Sequence, residues 1–432
     1  MSNSPENIES THPPGLSPWD PIFTSADHYL TELECTREMF ALIAPILEAS
    51  DSERQKRIET IGERIEDKEK GRKGYAFKSL ADLHEFVKHN SRIRRGDLMF
   101  RRNIIVGIVS LFDDFLMDVL MVAFKENPEW LKKPDKKLSY KEILEASSLE
   151  ELKQDLIYRE VHQLMKDSHH AQVAFLDSRL KMGIEENFEG WPSFLEVTER
   201  RNLFVHNGGC VNKIYIANAK KYGFPLNSKN TEGIPLTASD EYVNNTIDCL
   251  YELTVRIAQA AARRLFPNCV EDADKTLNNP AVALMSDERW ALAEKIFSYA
   301  LGIPDQLRSG AEYKYYSLIN LCIALKFSGK NFADELHSID WNPMHPKYHF
   351  AVAILEDRFD DATQLMKSET VLNAIPKESF LYWPLLKAFR ETPQFIQAFN
   401  ELFSSDDQDK LFQEARKQIN AEQDDADHPL LF

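Results

Sequence analysis

The sequence predicts an all-α protein built in two helical parts. Three observations carry that prediction. Apolar residues recur at helical spacing over long stretches, most cleanly in 240–266, where Val243, Ile247, Leu250, Thr254, Ile257, Ala261 and Leu265 form one seam. The stretch 104–124 is apolar almost all round, as a helix buried on most sides must be. Gly and Pro punctuate these runs, at Gly190-Trp191-Pro192 and at Pro267.

Residues 1–20 are polar and Pro-bearing and read as a disordered tail with no secretory hydrophobic run. A helix follows over 26–47 on Tyr29, Leu30, Leu33, Phe40, Leu42, Ile43 and Ile46, with Pro45 expected to kink it or end it early. The very charged stretch 51–73 reads as a solvated helix rather than an RNA-binding face. A denser basic cluster, Arg92, Arg94, Arg95, Arg101 and Arg102, leads into 104–124. It either tracks phosphates or pairs with the protein's many carboxylates.

Residues 127–190 read as a helical insertion, with a clear apolar side at Leu156, Ile157, Val161 and Leu164. The pair His169-His170 lacks a second ligand pair at metal-binding spacing, so no metal is expected. After 209, Val211 to Ile216 alternates as a short extended piece would, and the chain to Pro235 reads as polar loop. Residues 267–285 read as a polar linker with Asn278-Asn279-Pro280, which places a domain boundary there. From 286 to 420 the chain is helical in short amphipathic pieces, and 421–432 is an acidic tail.

Composition narrows the function. The formal charge of −17 weighs against a protein that coats DNA, more than against a nuclease with a local basic patch. Five scattered cysteines with no Cys-x-x-Cys pair argue against a zinc ribbon or a disulfide framework and suit a reducing cytoplasm. Cys210 reads as a small buried apolar residue. Asp113, Asp114 and Asp118 sit in the middle of 104–124, which would be costly in lipid, so no membrane association is expected. Gly-rich phosphate loops, His-Glu-x-x-His, Gly-x-Ser-x-Gly and dinucleotide fingerprints are absent from the sequence, and no cofactor is expected.

The chemistry concentrates at 196–209, Glu-Val-Thr-Glu-Arg-Arg-Asn-Leu-Phe-Val-His-Asn-Gly-Gly. Phe194, Leu195, Leu203 and Phe204 anchor a helix that Asn207-Gly208-Gly209 ends, because Gly tolerates the left-handed conformation of a helix terminus. His206 then lies in the last turn, where the helix dipole suits positive charge. Asn202 and His206 are four apart and share a face, with Arg201 beside them. A fixed cation, an amide and an imidazole at one helix end suit phosphodiester cleavage: His moves a proton and Arg stabilises charge on phosphorus. Asp113 or Asp114 either orients Arg201 or His206, or belongs to a solvent-facing acidic stripe.

Arg-Asn-Leu-Phe-Val-His, residues 201–206, resembles the Arg-x(4–6)-His signature of HEPN domains, and with Asn-Gly-Gly after it looks like the ribonuclease branch found in prokaryotic antiviral defence and toxin systems. The resemblance covers roughly residues 90 to 265. It implies a HEPN-like helical bundle over 21–266 that homodimerises, and a composite, metal-independent endoribonuclease site that cleaves RNA by 2′-hydroxyl attack. Arg201, Asn202 and His206 take the motif positions as catalytic residues. Arg200, Arg94, Arg95, Arg101 and Arg102 are then the expected RNA contacts. The units Tyr313 to Ala333 and Tyr348 to Ala362 look like tetratricopeptide-type helical hairpins, which imply a protein partner such as a trigger or inhibitor. The competing reading is a non-catalytic dimerisation and RNA-docking module whose C-terminal repeats carry the function.

Overall fold

The computed structural model describes residues 17–67, 72–132, 138–226 and 231–403. The tails 1–16 and 404–432 and the side chains of Arg94 and Arg95 lie outside the described residues. The chain is mostly helical and forms two compact units, divided between Cys269 and Val270. No helix among the described residues is long and apolar enough to cross a membrane.

The first unit is organised by two long helices, α1 (Asp20–Ile61) and α2 (Leu80–Glu126). They run antiparallel, since the Ser25 hydroxyl donates to Asp118, the Tyr29 hydroxyl donates to the Ile108 carbonyl, and Phe40 stacks on Phe100. A hairpin joins them: β1 (Gly62–Asp67) pairs antiparallel with β2 (Arg72–Phe77), Gly62 opposite Phe77 and Asp67 opposite Arg72. The expected solvated helix over 51–73 therefore stops at Ile61 and gives way to strand. α1 continues past Pro45 rather than ending there. Proline there leaves the Ala41 carbonyl without its helical donor, and both residues are exposed, so water can serve instead.

The insertion after α2 holds α3 (Tyr140–Glu145), α4 (Leu149–Leu164), α5 (His169–Leu180) and α6 (Ile184–Asn187). α7 (Trp191–His206), α8 (Lys213–Tyr222) and α9 (Asp240–Leu265) complete the unit. Starts are set by side-chain caps: Ser148, Ser168, Asn212 and Ser239 each accept a backbone N–H of the first turn of α4, α5, α8 and α9. α8 replaces the expected extended piece and loop. Its signals are the Asn212 cap, Tyr215 and Ala219 buried one turn apart, and Gly223 closing the helix at φ 75°. The core centres on Phe112 of α2, which meets Tyr29, Phe115 and Phe194 with ring centroids 5.7, 5.8 and 5.4 Å away. α9 crosses this core and is buried on nearly every side.

The second unit opens with α10 (Val270–Ser286), where a linker was expected. Ala273, Leu277 and Ala281 are buried four residues apart, so a narrow apolar stripe suffices to dock an otherwise polar helix. α11 (Trp290–Gly302), α12 (Ala311–Phe327), α13 (Ala333–Leu336), α14 (Pro346–Leu355) and α15 (Phe359–Met366) follow, then short helices to Leu402. One turn recurs three times. Glu288, Gly329 and Asp357 take φ of 57°, 70° and 57° between α10 and α11, α12 and α13, and α14 and α15. After each, a basic residue donates its N–H five residues back: Arg289 to Leu284, Lys330 to Leu325 and Arg358 to Ala353. The unit is a run of helical hairpins at unequal intervals, with α13 reduced to a single turn.

Phe112 is fully buried. Phe112→Ala is expected to destabilise the protein by about 3–5 kcal/mol through lost transfer energy and the cavity left behind. Chemical denaturation followed by circular dichroism reads that loss.

Candidate active site

α7 carries the candidate residues, and its two faces are held differently. The inward face packs Phe194, Leu195, Val197 and Leu203, which are all buried. The helix ends as its sequence predicts. The Asn207 and Gly209 N–H groups both donate to the Leu203 carbonyl, at 2.9 and 2.8 Å, while Gly208 and Gly209 take φ of 60° and 80°. The Asn207 amide donates to the Cys210 carbonyl at 2.6 Å. The chain then turns back so that Cys210 bridges Pro235 and the Leu236 N–H donates to the Gly209 carbonyl. Cys210 is half-buried rather than sealed in a core.

Arg201 points from α7 toward α2. Its Nη2 lies 3.5 Å from Ser110 Oγ and 3.6 Å from Asp113 Oδ2, and its Nη1 lies 3.4 Å from Asn202 Oδ1. All three contacts are long, and Nε is buried with no hydrogen-bond partner. A half-buried guanidinium held this loosely retains donor capacity for another anion. His206 is the last residue of α7 and is exposed, and among the described residues no hydrogen bond or ion pair holds it. Asn202 is half-buried between them in sequence.

Asp113 reaches the motif and Asp114 does not. Asp113 Oδ1 lies 2.8 Å from His169 Nε2 while Oδ2 faces Arg201. The His169 contact is close enough for an ion pair, yet the ring nitrogen is off line for a hydrogen bond. Asp114 is exposed, and its carboxyl is pushed up by partial burial and by its neighbours Asp113 and Asp118. His169 was not among the residues singled out for catalysis. It is buried at the start of α5, and its ring edge meets Phe194. The histidine pair splits: His170 turns to Tyr222, 4.6 Å between ring centroids, and to Glu185. Among the described residues no cluster of three metal-ligating side chains exists.

Two of the arginines expected to contact RNA are built into the fold instead. Arg101 is buried, pairs with Asp97 at 2.7 Å and with Asp240, and lies over the Phe40 ring. Arg200 pairs with Glu196, donates to the Thr237 carbonyl at 2.8 Å and sits 3.9 Å over the Tyr242 ring. Glu196 also accepts the Tyr215 and Tyr242 hydroxyls, at 2.7 Å each. Burial first, then the Glu196 charge, holds both phenols well above their usual range, so they stay protonated and donate to Glu196. The physical reason is local acid. Asp97 and Glu196 stand one helical turn before Arg101 and Arg200, where a pair forms at little entropic cost. Arg102 differs. Its guanidinium lies 5.2 Å over the Phe204 ring, its Nε is buried without a partner, and among the described residues no carboxylate pairs with it.

No family model, curated protein or solved structure matches the chain.

Glu196→Ala leaves Arg200 and two tyrosine hydroxyls without their shared acceptor in a buried site. The variant is expected to lose about 3–5 kcal/mol of stability. Denaturation of the variant checks this, and Arg200→Ala should cost less in a Glu196→Ala background than alone, because only the Thr237 carbonyl and Tyr242 ring contacts remain to be lost.

Proposed function

We propose that the protein is a metal-independent endoribonuclease of the HEPN type, acting in a prokaryotic antiviral defence or toxin system. The observation that carries this reading is the state of Arg201. It is a half-buried cation with unmet donors, on the same helix as an unpaired, exposed His206. That is a charge-stabilising group and a proton-moving group with no structural task that consumes them.

The chemistry suited to this pair is transesterification within RNA. The 2′-hydroxyl loses its proton and its oxygen attacks the adjacent phosphorus. The bond to the 5′-oxygen breaks, and that oxygen takes up a proton, leaving a 2′,3′-cyclic phosphate and a 5′-hydroxyl. His206 moves a proton in one or both steps, and Arg201 stabilises the negative charge that grows on the phosphoryl oxygens. Asn202 holds Arg201 from one side and Asp113 holds it from the other. A homodimer would bring two copies of the pair together. Val205, Ile214 and Ile234 fit that reading, because all three are exposed on segments that meet at the end of α7.

The second reading is an RNA-docking and dimerisation module. It is favoured by the charge of −17 and by the engagement of Arg101 and Arg200 in the fold. In either reading the second unit is the place for a protein trigger or inhibitor. Its hairpins border an open cavity of about 340 Å3 lined by Tyr316, Tyr348, Tyr382 and Trp383.

Cleavage of a labelled RNA pool in EDTA tests the first reading. Wild-type protein should produce cyclic-phosphate ends, and Arg201→Ala and His206→Ala should each slow the reaction at least ~100-fold while keeping the helical circular dichroism spectrum. Equal cleavage by wild type and both variants would sink it.

A further inference from the structure

We propose that Arg102 is a phosphate receptor, held in place by Phe204 and Gly209, and that it grips an RNA backbone phosphate beside the motif helix. The choice of RNA rests on the ribonuclease reading, whereas the receptor itself rests on three local observations.

The first is the missing acid. Arg101, Arg200 and Arg201 each face a carboxylate, namely Asp97 with Asp240, Glu196, and Asp113. Arg102 faces none among the described residues, and its Nε is buried without a hydrogen bond. Most described arginines pair with an acid; Arg102 lacks one, as do Arg179, Arg264 and Arg390, but it alone of these four stands beside the motif helix end. A guanidinium carries five donors; with Nε sealed off, the four on Nη1 and Nη2 meet no internal acceptor among the described residues and are left for an external anion.

The second is the aromatic floor. The Phe204 ring lies under the guanidinium at 5.2 Å. A cation held over a ring face loses conformational freedom without using up its N–H donors, and a planar guanidinium suits the paired oxygens of a phosphate.

The third is the backbone beside it. A Cβ on Gly209 would fall 2.5 Å from Arg102 Nη2 and 2.8 Å from its Cζ. Gly209 also has φ 80°, a conformation side chains rarely adopt. Glycine thus serves twice at one position: its positive φ suits the turn that ends α7, and its bare Cα leaves the space that the guanidinium occupies. Phe204 and Gly209 flank His206 in sequence, so the receptor and the motif are built on the same helix end.

The test reads binding apart from cleavage. A fluorescent single-stranded oligonucleotide with 2′-O-methyl riboses cannot be cleaved by 2′-attack, and its anisotropy is followed with wild type over a range of salt. Arg102→Gln should weaken binding about tenfold at low salt and reduce the slope of log K against log salt by about 0.7, the value for one phosphate contact to a single strand. Gly209→Ala keeps the arginine but displaces its guanidinium, and should weaken binding to a similar degree. Arg102→Lys keeps the charge without the fork and should fall between wild type and Arg102→Gln. Unchanged affinity and slope in Arg102→Gln, or no binding by wild type, would overturn the proposal. A second arm titrates inorganic phosphate. Arg102 dependence for inorganic phosphate alone would make this a small-anion site and remove the RNA assignment. If wild type binds the blocked oligonucleotide through Arg102 yet leaves ordinary RNA intact, the ribonuclease reading fails and the receptor stands.

Discussion

Burial of α2 is the constraint on which the rest of the first unit depends. From Ile105 to Phe124 this helix has too much apolar surface for one neighbour to cover. α1, α7 and α9 close around it, and the aromatic group of Tyr29, Phe112, Phe115 and Phe194 marks where they meet. Asp113 sits next to Phe112 in sequence, so it emerges at the edge of that core where α7 passes. The contact between Asp113 and Arg201 is thus a by-product of hydrophobic packing. Hydrophobic packing brings α7 against α2, and the Glu196 network and the Asp113–Arg201 contact then add charged ties to α7.

The long amphipathic helices were legible in the sequence because each has a clear apolar period of its own. The motif helix and its Asn207-Gly208-Gly209 ending were legible for the same kind of reason: both are local chemistry. What escaped was either too short or too weakly patterned. The strands β1 and β2 lie in a highly charged stretch whose composition says solvent and says nothing of pairing. α8 was hidden by an alternating look at Val211 to Ile216, although the Asn212 cap and Gly223 bracket it. α10 was hidden by Asn278, Asn279 and Pro280, three residues that usually mark loops. Within the site, the approach of His169 to Asp113 was out of reach, because they lie 56 positions apart and no spacing rule connects residues on α5 and α2.

Arginine identity alone said little about arginine role. Arg101 and Arg102 are adjacent, yet the first is closed off by Asp97 and Asp240 and the second lies open on Phe204. The difference follows from helix geometry. Neighbours on a helix point about 100° apart, so one turns toward α9 and the other toward the end of α7. In a strongly acidic protein this sorting matters. Cations with a carboxylate one turn away, such as Arg101 and Arg200, become structural, whereas one without, such as Arg102, keeps its donors.

The carboxylate of Asp113 is shared between two elements of different origin. One oxygen faces Arg201 on the motif helix, and the other faces His169 at the first residue of α5, inside the long insertion. A displacement of α5 by a single bond length would redistribute that charge between its two partners, with no change in the motif helix itself. The insertion is therefore wired to the guanidinium through one side chain. On the ribonuclease reading, a shift of the insertion would change the electrostatics around Arg201 without any change in the fold of α7.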